Sequence, residues 1–82
     1  MVWTIKDFKR DKREEDSNVK YWFYEKKGDI LISLVSPPNP EVRISGGNFD
    51  SFRIPMGDSI YQKISAEEVL SVAVKNLNRR AN

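Results

Sequence analysis

Apolar and polar residues alternate by twos in several short runs before residue 56, and they recur at helical spacing from Ala66 onward. A period of two marks a strand with one face on a core, whereas spacings of three and four mark an amphipathic helix. Residues 2–8 (VWTIKDF) predict a short first strand, with Trp3 and Ile5 on one face and Val2 and Thr4 on the other. Residues 19–35 predict a hairpin: VKYWFYE, a turn at Lys26-Lys27-Gly28-Asp29, then ILISLV. Gly28 is expected to supply the positive φ of that turn. The run SPPNP that follows should stop the ladder, because proline cannot donate to it. EVRIS and SFRIP predict a second hairpin around Gly46-Gly47-Asn48, with Pro55 at a strand end or a sheet edge. A turn at Met56-Gly57-Asp58-Ser59 leads into IYQKI, which reads as a short extended segment.

The last element is a helix over residues 66–79. Ser65 and Glu68 form an S-x-x-E capping box, and Ile64 and Val69 stand at the positions of a hydrophobic staple. Val69, Leu70, Ala73, Val74 and Leu77 make one apolar stripe. Glu67 and Glu68 lie at the positive end of the helix dipole, and Lys75, Arg79 and Arg80 towards the negative end. The expected fold class is therefore α+β, an antiparallel sheet of four to five strands with one C-terminal helix packed on one face.

Register decides what the other face carries. Val19, Tyr21 and Phe23 form the more apolar set of their strand, and Ile30, Ile32 and Leu34 that of the next. If Glu25 pairs with Ile30, these sets coincide under the helix, together with Val42, Ile44, Phe52 and Ile54. Lys20, Trp22, Tyr24, Lys26, Arg43 and Arg53 then line the outer face. A type I turn with a bulge would instead pair Glu25 with Asp29 and turn Tyr21 and Phe23 outward. The first register is preferred, because the second brings lysine stems to the covered side.

Composition narrows the chemistry. The chain has 82 residues, 14 Lys and Arg against 12 Asp and Glu, and neither cysteine nor histidine. That length predicts a single domain spanning the whole sequence. Imidazole-dependent catalysis, disulfides and Cys/His zinc sites are excluded. No metal site, cofactor or enzymatic activity is expected, since Asp50, Asp58, Glu67 and Glu68 match no metal-loop spacing and are explained by turns and caps. Gly46-Gly47 lacks the Lys-Ser/Thr of a phosphate loop. Residues 9–18 (KRDKREEDSN) carry no apolar side chain and are expected to form a mobile charged loop. No stretch is apolar enough to span a membrane, and no signal-peptide pattern opens the sequence, so the expectation is a cytoplasmic protein with no membrane partner.

A basic and aromatic sheet face suits single-stranded DNA or RNA, with rings stacking on bases and cations on phosphate. The alternative is a protein partner docking on the same face, as for a regulator, an inhibitor or a homodimer. The order of elements, an antiparallel sheet closed by a C-terminal helix, is similar to that of the single-stranded-DNA-binding coactivator fold. That resemblance is one of element order alone and implies nucleic-acid binding only through the fold. VWTIKDF also looks like the first strand of receptor-associated β-sandwich domains, over those seven residues.

Overall fold

A computed structural model describes residues 2–47 and 50–81; Asn48, expected in the second turn, lies outside the described residues. Five strands form one antiparallel sheet in chain order: β1 (Phe8–Arg10), β2 (Val19–Glu25), β3 (Leu31–Val35), β4 (Glu41–Ser45) and β5 (Phe52–Pro55). Two helices follow, α1 (Asp58–Lys63) and α2 (Ala66–Ala81). The fold is α+β, as the alternation of polar and apolar residues predicts.

The preferred register is the one formed. Phe23 pairs with Ile32 and Tyr24 with Leu31, and the Glu25 N–H donates to the Ile30 carbonyl at 2.9 Å. Ile32, Leu34, Val42 and Ile44 are buried completely, and with Phe23, Ile30, Phe8 and Phe52 they form the sheet's half of the core. Val69, Leu70, Ala73, Val74 and Leu77 of α2 supply the other half, which is the apolar stripe read from the sequence. The capping box is present: the Glu68 N–H donates to Ser65 Oγ at 3.1 Å, and the Ser65 N–H to Glu68 Oε1 at 3.0 Å.

Several expectations are corrected. The first strand begins at Phe8, where it was expected to end. Residues 5–7 form a 3-10 turn, because the Asp7 carboxylate accepts the Thr4 N–H at 2.9 Å and closes a capping box that a strand could not keep. The charged segment 9–18 is not loop throughout: its first two residues belong to β1, residues 12–14 form a 3-10 turn, and its charges pair with one another. Arg10 grips Glu15 through two 2.8 Å hydrogen bonds, the Arg13 guanidinium pairs with Asp11, and Asp16 accepts the N–H groups of Asn18 and Val19. SPPNP does stop the ladder, as expected: β3 ends at Val35, β4 begins at Glu41, and residues 36–40 form the connection between them.

Gly28 does not take a positive φ; Gly46 and Gly47 do, at 96° and 69°. A Cβ at Gly28 would meet the Glu25 carboxylate, which accepts the Trp3 indole N–H at 2.7 Å. The expected extended segment IYQKI is helical over residues 60–63 of α1, with Ile64 as the extended residue that caps it, and Tyr61 and Ile64 pack against the core. A β-bulge between Val19 and Tyr21 reverses the alternation at the start of β2. Val19 pairs with Val35 and so lies on the outer face, not in the core.

Candidate functional site

Both helices pack on the Phe23 side of the sheet, and among the described residues neither covers the opposite face. Trp22 and Tyr24 lie on that face, half-buried and two residues apart, hence about 7 Å apart along β2. Cross-strand pairing extends each into a row. Tyr24 has Lys9 on one side and Leu31 then Ser45 on the other. Trp22 is followed by Ser33, Arg43 and Arg53, which puts Arg43 two strand spacings, about 10 Å, from the indole. Ser33 is small and buried between the larger side chains, so the row is high at both ends and low in the middle.

Trp22 is held from the edge of the sheet. Its carbonyl accepts the Asp11 N–H at 2.9 Å, and its N–H donates to Glu15 Oε2 at 3.1 Å. Glu15 thereby stands in for a strand backbone where β1 has ended. The Arg10 guanidinium first, and the Trp22 N–H after it, hold the Glu15 carboxyl below the usual carboxylate range. Arg13 similarly lowers Asp11, its partner at the margin of the face.

Of the six residues predicted to line this face, four lie on it and two do not. Trp22, Tyr24, Arg43 and Arg53 share it, as the register requires. Lys20 does not: the bulge turns it to the helix side, where its ammonium donates to the Tyr61 carbonyl at 2.9 Å and lies over the Tyr21 and Tyr61 rings at 5.4 and 4.7 Å. Lys26 stands in the turn beyond β2, exposed, with its N–H on the Asp7 carbonyl at 2.8 Å.

Two contributors were missed. Lys9 belongs to the face because β1 starts late and pairs Lys9 with Tyr24. Glu41 lies between the arginines, with Oε2 2.7 Å from Arg43 Nε and 3.8 Å from Arg53 Nε. Its signal was present in the sequence: in Glu41-Val42-Arg43, residues two apart on a strand share a face. Arg43 and Arg53 are directly opposite each other, so their charges would repel without this carboxylate.

Among the described residues, no three carboxylates converge in a way that could hold a metal ion, and no helix is long and apolar enough to cross a membrane. Comparison with known proteins gives no matching family model, curated protein or solved structure. The similarity of element order to the single-stranded-DNA-binding coactivator fold is therefore without a structural match, and function is argued from the residues themselves.

Proposed function

We propose that the chain is a non-enzymatic binding module that takes single-stranded nucleic acid on the outer face of its sheet. The supporting observation is the placement of Trp22 and Tyr24 side by side on the uncovered face, with Lys9 on one flank and Arg43 and Arg53 on the other. Splayed bases stack on rings presented this way by a sheet, and cations beside the rings meet the phosphates. Such binding needs no base-edge readout and no enclosed pocket.

Titration of labelled single-stranded DNA and RNA at ~50 and ~200 mM salt tests the proposal, because phosphate contacts make affinity fall steeply with ionic strength. Trp22→Ala and Tyr24→Ala should each weaken binding by roughly 1–3 kcal/mol. The absence of binding at ~50 mM salt rejects it.

A protein partner on the same face is the second reading. Glu41 favours it by offsetting part of the arginine charge, as do Leu31 and Val35, which add aliphatic surface beside the rings. Binding of that kind would depend on the same two rings but little on salt. A homodimer is its simplest form, and sedimentation as a function of concentration reads it directly.

A further inference from the structure

We propose that Glu41 is the specificity-determining residue of this face, an internal carboxylate that limits the attraction of the Arg43–Arg53 pair for phosphate and leaves stacking on Trp22 and Tyr24 to dominate. The inference rests on the single-strand reading and goes beyond it by assigning a role to a residue that binds no ligand itself.

The geometry is specific. The Glu41 side chain is 10% exposed, while those of Arg43 and Arg53 are 55% and 68% exposed. The carboxylate thus lies beneath the two guanidinium groups and holds Arg43 by its Nε at 2.7 Å. The Nη groups of Arg43 make no hydrogen bond among the described residues, and the Arg53 side chain, at 3.8 Å from Glu41, makes none there. The donors left over are those that grip phosphate in a forked geometry. Two positive charges opposed by one negative present a net charge of about one to a passing strand. A polyanion held by charge alone, such as duplex, gains little from this, whereas a strand with free bases gains the stacking as well.

Charge-changing variants test the idea. Glu41→Gln keeps an oxygen acceptor for Arg43 Nε and removes the negative charge. Its affinity for labelled oligothymidylate at ~50 mM salt should rise about three- to tenfold. The plot of log affinity against log salt should steepen by about 0.7, one more neutralised phosphate. Duplex binding should become measurable as well. Arg53→Gln, at an exposed position without a side-chain hydrogen bond among the described residues, should make the slope shallower by about 0.7, and the double variant should return close to the parent.

If the parent protein binds with a salt dependence but the slope ignores Glu41→Gln, Glu41 has no such role and the single-strand reading stands. If the parent binds no single strand, both readings fall together. Should Glu41→Gln fail to fold, Arg53→Gln decides alone, since an unchanged slope there overturns the inference.

Discussion

Phe23 and Trp22 are adjacent in the chain and opposite in fate, one 4% exposed in the core and the other half-buried on the open face. The difference is which side of β2 each occupies, so their substitutions should separate cleanly. Phe23→Ala should cost about 3–5 kcal/mol in urea unfolding, because it opens a cavity between sheet and helix. Trp22→Ala and Tyr24→Ala, which empty no enclosed space, should each cost less than about half of that while weakening ligand binding. Glu15 carries a pH dependence of its own. Its folded pKa lies below the ordinary glutamate value, chiefly through Arg10, so the pair adds stability above that range. The contribution disappears as pH falls through the folded pKa. Thermal melts from pH ~6 down to ~3 should therefore show a smaller acid-induced loss for Glu15→Gln than for the parent.

At the level of elements, the bulge in β2 is what fastens α1. It turns Lys20 to the helix side, where the ammonium meets the last turn of that helix, and Tyr21 beside it donates its hydroxyl to the Ile64 carbonyl at 3.3 Å. Ser36 and Tyr61 join their hydroxyls at 2.9 Å and complete the attachment. A helix of six residues has almost no stability alone and depends on such contacts. Lys20→Ala should therefore speed hydrogen exchange of the Tyr61 and Ile64 amides while the amides of β3 and β4 keep their protection. Exchange rates measured residue by residue check this, and uniform acceleration across the sheet would contradict it. α2 needs no such fastening, since its cap and apolar stripe are complete within its own sequence. The contrast explains why one helix was legible and the other was not.

Across the whole molecule, the first described residues are tied to the last helix. The Trp3 N–H donates to Asn78 Oδ1 at 2.8 Å, and the Asn78 amide donates back to the Trp3 carbonyl at 2.9 Å. With the indole on Glu25, Trp3 thereby connects the end of β2 to α2 across the helix side of the sheet. Asn78→Ala removes both backbone bonds and should lower stability by about 1–2 kcal/mol, read by denaturant titration, without altering binding on the opposite face. The partition is complete: residues 2–7, α1 and α2 occupy one side of the sheet, and the candidate interface the other.

The sequence by itself determined the sheet, its preferred register, the C-terminal helix and the core, because each follows from a local period of two or of 3.6 that burial enforces. A one-residue slip of β2 would have exchanged Phe23 for Trp22; the cost of burying lysine favoured the register that forms without excluding the other, and Lys20 does reach the helix side by snorkelling. The folded structure shows what breaks the period. The bulge at Lys20 moves Val19 outward, a carboxylate turns residues 5–7 into a 3-10 turn, and ion pairs link residues of a segment with nothing apolar to bury. The bulge depends on how β2 aligns with β3, whereas the 3-10 turn and the ion pairs join residues only two to five apart, contacts that a period of two or of 3.6 does not report. The candidate face divides the same way. Trp22, Tyr24, Arg43 and Arg53 follow from alternation, whereas the removal of Lys20, the arrival of Lys9 and the carboxylate of Glu41 between two arginines follow from how the strands are aligned.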